Sequence, residues 1–77
     1  MAITVKFFAR LREELNIDEE RIDAQAGLTA LHVWQKLTGQ TSLPAQILIA
    51  VNHEYVKESV TVNDNDEVAF FPPVTGG

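Results

Sequence analysis

Two apolar stretches lie near the opposite ends of this chain, and each closes on a phenylalanine pair. AITVKFF covers residues 2–8 and EVAFF residues 67–71. Successive strand side chains point to opposite faces. Ile3, Val5 and Phe7 therefore share one face, and Thr4, Lys6 and Phe8 the other. In the second stretch Val68 and Phe70 go inward and Phe71 outward. The simplest compact solution is a mixed sheet with these two strands in its middle and one main helix packed on one face.

The chain between them supplies that helix. Thr29 is placed to cap it, and Ala30, Val33, Trp34 and Leu37 follow at i, i+3, i+4, i+7 as one apolar stripe. Gly39 stands where a left-handed C-terminal cap is wanted, so the helix is expected over 30–38. ARLREELN, residues 9–16, predicts a shorter helix with Leu11 and Leu15 one turn apart, and 21–24 a brief strand. After a loop with Pro44, ILIAV at 47–51 reads as a buried strand. Asn52-His53 is the expected turn, Tyr55-Val56 the returning strand, Val60-Thr61-Val62 another β-prone piece, and 63–66 a polar turn. The expected class is α+β: a mixed sheet with one main helix on one face and the first and last strands in its middle.

At 77 residues the chain is expected to be one domain, 1–77, with 72–77 as a protruding tail. There is no cysteine, hence no disulfide, thiolate nucleophile or zinc finger. A formal net charge of −5 opposes binding to a phosphate backbone. No apolar run approaches the ~20 residues of a membrane span, and MAITVKFF has no basic region of the signal-peptide kind. A cytoplasmic protein without nucleic-acid or membrane partners is expected.

His32 and His53 share no visible ligand spacing and are expected to face solvent, so no metal site is predicted. Asp64-Asn65-Asp66-Glu67 lacks the glycine and the spaced glutamate of a calcium loop and reads as a turn. Asp18-Glu19-Glu20-Arg21 reads as a solvated loop, Trp34 as core, and Lys6, Lys36 and Lys57 form no cluster. No P-loop, Ser/His/Asp arrangement or dinucleotide fingerprint is present.

Two features point to a partner. A sheet with one main helix has one open face, so Phe8 and Phe71 should lie exposed there, joined by Leu48 or Ala50 and by Tyr55. A clustered exposed apolar patch marks an interaction surface. The second feature is the end of the chain. Pro72-Pro73 cannot continue a ladder and favours extended backbone, as do β-branched Val74 and Thr75. Gly76-Gly77 then removes side-chain bulk at the tip. A stiff stalk of six residues, reaching at most ~20 Å, suits threading a terminal carboxylate into a narrow site on another protein.

DEVAFFPPVTGG at 66–77 closely resembles the small subunit of molybdopterin synthase, the MoaD-type sulfur carrier family. VKFFARLRE at 5–13 and LIAVNHEYV at 48–56 resemble the same family in the same order, while 16–46 match in pattern only. The resemblance implies a ubiquitin-like β-grasp fold. It further implies that the Gly77 carboxylate is adenylated by an E1-like activating enzyme using ATP, and then becomes a thiocarboxylate with sulfur from a donor protein. The tail, with Gly76 next to the reacting carbonyl, would enter the large synthase subunit and donate sulfur to cyclic pyranopterin monophosphate. Phe8, Tyr55, Phe71, Pro72, Pro73, Val74 and Thr75 would contact the partner. The catalytic side chains would belong to the large subunit, and this chain would bind no cofactor itself. A ubiquitin-like modifier joined through Gly77, a thiamine-type sulfur carrier and a plain interaction module are the other readings. The Phe-Phe-Pro-Pro stalk speaks against the thiamine type.

Overall fold

The structure, a computed structural model, describes residues 2–72. Five strands and two helices follow in the order β1 (Ala2–Phe7), α1 (Ala9–Leu15), β2 (Glu19–Asp23), α2 (Ala30–Thr38), β3 (Leu48–Val51), β4 (Glu54–Val56) and β5 (Glu67–Phe71). They build one mixed sheet in the order β2-β1-β5-β3-β4. The last strand is central and lies parallel to the first; its other neighbour, β3, is antiparallel.

The burial pattern follows the alternation. Ile3, Val5, Phe7, Ile49, Val68 and Phe70 are buried on the inner face, against Ala30, Val33 and Trp34 of α2. The centre is aromatic: Phe7 stacks on Phe70 at 5.5 Å between ring centroids, and Trp34 lies 5.2 Å from Phe70 and 6.2 Å from Phe7. Such offset contacts favour one rigid arrangement over a fluid one. Trp34 also donates its indole N–H to the Ser42 carbonyl at 3.2 Å, which ties down the loop after α2.

α2 keeps the expected bounds. Its start carries a reciprocal cap: the His32 N–H donates to Thr29 Oγ1 at 3.2 Å, and the Thr29 N–H donates to His32 Nδ1 at 3.0 Å. His32 is exposed, as expected, but takes the place that Glu or Gln usually fills in a capping box. At the other end Gly39 adopts φ 76 and its N–H closes on the Gln35 carbonyl.

Several boundaries differ from the sequence reading. β1 ends at Phe7, because Phe8 is the N-cap of α1 and Ala9 turns the chain with φ 54. β2 begins at Glu19, where the ladder with Lys6 starts, and ends at Asp23. Only Ile22 of that edge strand is buried, so no apolar alternation marks its beginning. Val60-Thr61-Val62 forms no strand: one isolated bridge joins Thr61 to Thr29, and Val62 fills the core. The Val60 and Glu58 carbonyls accept instead from the first N–H groups of α2, at Ala30 and Leu31.

Candidate functional site

The face of the sheet away from α2 is set by register. Directly opposed residues share a face. Leu48 pairs with Phe71, Ala50 with both Ala69 and Tyr55, and Lys6 with Ala69. Phe7 pairs with Phe70 in the parallel ladder, so the next residues, Phe8 and Phe71, stand side by side. The Phe8 N–H continues that ladder by donating to the Phe70 carbonyl at 3.2 Å.

An open apolar ring results. Phe8 meets Phe71 edge-on with centroids 6.5 Å apart, and Tyr55 lies 5.7 Å from Phe71. Phe8 is 44% exposed, Leu48 36% and Tyr55 72%, while Phe71 and Pro72 are half-buried. The structure thus brings together Tyr55, Phe71 and Leu48 from three strands and Phe8 from the β1–α1 junction, with small Ala50 and Ala69 behind them. Around β4, Leu48 and Tyr55 also border a groove of about 430 Å³ that reaches Leu43, Ile47 and Val56. Exposed rings clustered in this way are surface that a partner would cover.

The other end of the same face is polar. Glu67 stands between Lys6, 3.6 Å away, and His53, 3.4 Å away. His53 and Asn52 form the two-residue β3–β4 turn with φ 72 and φ 52, the pairing that a type I′ hairpin requires. Asn52 Nδ2 donates to Asp66 Oδ1 at 2.9 Å, and the Asn63 N–H donates to Asp66 Oδ2 at 2.7 Å. The Asp66 carboxylate is thereby committed to holding the 63–66 turn against the hairpin. Among the described residues, no group of three or more His, Asp or Glu is arranged to hold a metal ion. No helix among them is long and apolar enough to cross a membrane.

Pro72 leaves β5 directly beside the ring. Pro73, Val74, Thr75, Gly76 and Gly77, the remainder of the expected site, lie outside the described residues. The sequence offers Leu48 and Ala50 as alternatives for this face, and both lie on it. Ala9, which turns the chain directly behind Phe8, carried no signal at all, because alanine does not announce a left-handed backbone.

A five-stranded mixed sheet gripping one main helix, with an aromatic ring where the last strand ends, defines a ubiquitin-like β-grasp domain. SAMP1, the small archaeal modifier protein 1 of Haloferax volcanii, superposes with a TM-score of 0.84 at 26% identity, covering all of both chains. A chain from the complex of subunits 1 and 2 of molybdopterin-converting factor from Helicobacter pylori shares the fold, with a TM-score of 0.68 at 22% identity over both chains entire. The chain belongs to the ThiS family, whose model matches residues 5–77. Within that family it is similar to the molybdopterin synthase sulfur carrier subunit of Escherichia coli, 38% identical over 81 aligned positions that cover 97% of this chain and 99% of that one.

Proposed function

We propose that this protein is a sulfur carrier of molybdenum cofactor biosynthesis, the small subunit of a molybdopterin synthase. The observation that carries this reading is the meeting of two features at one edge: the ring of Phe8, Leu48, Tyr55 and Phe71 borders the point where Pro72 leads toward Gly76-Gly77. The similarity to the E. coli subunit runs through nearly the whole chain and supports the same assignment.

The chemistry follows from the terminal group. A C-terminal carboxyl has a pKa of about 3.3–3.7, so at neutral pH it is an anion able to attack the α-phosphate of ATP. That attack, on an E1-like activating enzyme, forms an acyl-adenylate and releases pyrophosphate. Sulfide-level sulfur released by a donor protein then attacks the acyl carbon, the C–O bond to AMP breaks, and the Gly77 thiocarboxylate remains. Gly76 and Gly77 have no Cβ, so both steps can be approached closely. Docked through the ring, the tail delivers sulfur into the active site of the large subunit, to cyclic pyranopterin monophosphate. The large subunit supplies the catalytic side chains. ATP is consumed by the activating enzyme, and the chain itself holds no cofactor.

Mass spectrometry of the intact chain after incubation with ATP, the activating enzyme and a sulfur source tests this. The expected product carries one oxygen-to-sulfur exchange on a C-terminal fragment. A chain that never forms the adenylate would refute the reading. The likeness to SAMP1 favours a second role, conjugation through Gly77 to target lysines. It would appear as larger adducts that survive reduction.

A further inference from the structure

The two edges of the sheet are unlike each other. β2, at one edge, runs for five residues, and Glu19, Glu20, Arg21 and Asp23 along it are exposed. Charges at that density protect an edge from pairing with another chain. β4, at the other edge, has three residues, and the apolar groove of about 430 Å³ runs beside it over Leu43, Ile47 and Val56.

Hydrogen bonding along β3 fixes which way the backbone of β4 points. The Asn52 N–H donates to the Glu67 carbonyl at 2.8 Å, toward β5. Backbone groups of a central antiparallel strand turn alternately to its two neighbours. Ala50 and Leu48 therefore turn to β5 as well, and Ile49 and Val51 turn to β4. Val56 and Glu54, which pair with Ile49 and Val51, use their backbone groups on β3. Tyr55, between them, presents its N–H and its C=O to the open edge, and among the described residues no strand pairs there. The Lys57 carbonyl is taken by the Val60 N–H at 3.1 Å, so the unpaired stretch is short. An edge donor and acceptor beside an apolar groove are what strand addition uses: main-chain bonds hold the added strand, and alternate side chains fill the groove.

Tyr55 and Leu48 belong both to this groove and to the aromatic ring, so a partner that covers the ring has already reached the β4 edge. We propose that the large synthase subunit adds an extended segment to β4, paired through the Tyr55 N–H and C=O, with an apolar side chain in the groove and a basic one near Glu54 and Glu58. This rests on the docking role of the open face proposed above. The basic side chain follows from charge: the chain carries −5, and Glu54 and Glu58 flank this edge against a single Lys57. The same balance opposes a second copy as occupant, because two β4 edges would bring like charges together.

N-methylation of the Tyr55 amide, introduced by chemical synthesis of the 77-residue chain, separates strand pairing from side-chain docking. It removes the outward donor and blocks an approaching strand, while the tyrosine ring stays. Calorimetric titration with the large subunit should show affinity reduced about tenfold or more, from one lost hydrogen bond and the steric barrier together. The unfolding midpoint should keep its wild-type value, because this N–H serves no internal bond. In hydrogen exchange of the unmodified chain, the Tyr55 amide should exchange faster than those of Glu54 and Val56, and should slow in the complex. Wild-type affinity of the methylated chain overturns the proposal. So does a lowered midpoint, which would place the N–H inside the sheet, and so does a Tyr55 amide that exchanges as fast in the complex as in the free chain. Tyr55→Thr, titrated beside it, keeps the backbone and removes the ring. Weakened binding by Tyr55→Thr with undiminished binding by the methylated chain removes the added strand and leaves the docking face standing; undiminished binding by Tyr55→Thr refutes the docking face itself.

Discussion

Replacing Tyr55 by threonine separates the cost of docking from the cost of folding. Tyr55 lies on the edge strand β4 and is 72% exposed. An aromatic side chain buries about 150–250 Å², so a covering partner would remove roughly 145 Å² of Tyr55 from water. At about 25 cal/mol per Å², and discounting the hydroxyl, that area contributes about 3 kcal/mol, or about a hundredfold in Kd. The part already covered by Phe71 and its neighbours is near 55 Å², worth at most about 1.4 kcal/mol to the fold. Threonine is β-branched and keeps the strand preference, so no propensity loss is added.

Phe70 supplies the contrast. It is fully buried between Phe7 and Trp34, and Phe70→Ala should cost about 3–5 kcal/mol. A chain of 77 residues has a total stability of about 4–12 kcal/mol. Urea unfolding and calorimetric titration with the large subunit therefore give opposite pictures. Tyr55→Thr should keep its unfolding midpoint nearly unchanged and bind about a hundredfold more weakly; Phe70→Ala should lose much of its folded population. Undiminished binding by a folded Tyr55→Thr would refute the docking face. A large loss of stability there would mean that the ring serves the fold.

His32→Ala removes the acceptor for the Thr29 N–H and should cost about 1 kcal/mol by urea unfolding, while His32→Gln, which can rebuild the capping box, should keep most of it. His53→Gly relieves a positive φ in the hairpin turn and should raise the free energy of urea unfolding by about 1 kcal/mol, because its contact with Glu67 is solvent-exposed and contributes little. Deleting Gly77 should abolish ATP-dependent adenylation, read by pyrophosphate release, with no change in melting temperature; retained turnover would remove the terminal carboxylate from the mechanism.

The elements legible in advance are those whose signals are local. Thr29 and Gly39 bracket α2 at both ends because capping chemistry is carried by the cap residues themselves. Glu67–Phe71 was legible from its alternation and the prolines that follow. What stayed hidden depends on distant partners. Residues 60–62 are β-prone, yet the Val60 carbonyl serves the start of α2 and one isolated bridge, Thr61 to Thr29, takes the place of a ladder. β2 is an edge strand with one buried residue, so its start is fixed by pairing with Lys6 and not by its own pattern. The outward direction of Phe8 and Phe71 follows from alternation, but their contact does not: it requires the register that sets Phe7 against Phe70.

That register also explains why the ring lies where the tail begins. In a parallel pair both strands end at the same edge of the sheet. β1 and β5 are parallel, so two phenylalanine pairs more than sixty positions apart in sequence finish together, and antiparallel β3 brings the start of its own strand, Leu48, to meet them. Had β1 and β5 run in opposite directions, Phe8 would lie at the far edge from Pro72. A partner seated on the ring therefore measures out from a fixed exit point. Residues 73–77 add at most about 18 Å beyond it, at 3.3–3.6 Å each. If the chain carries sulfur as proposed, it has no cysteine to hold it on a side chain, and the cargo would ride on the main-chain terminus. A partner that accepts this cargo must hold its active site within that reach of its own apolar docking surface.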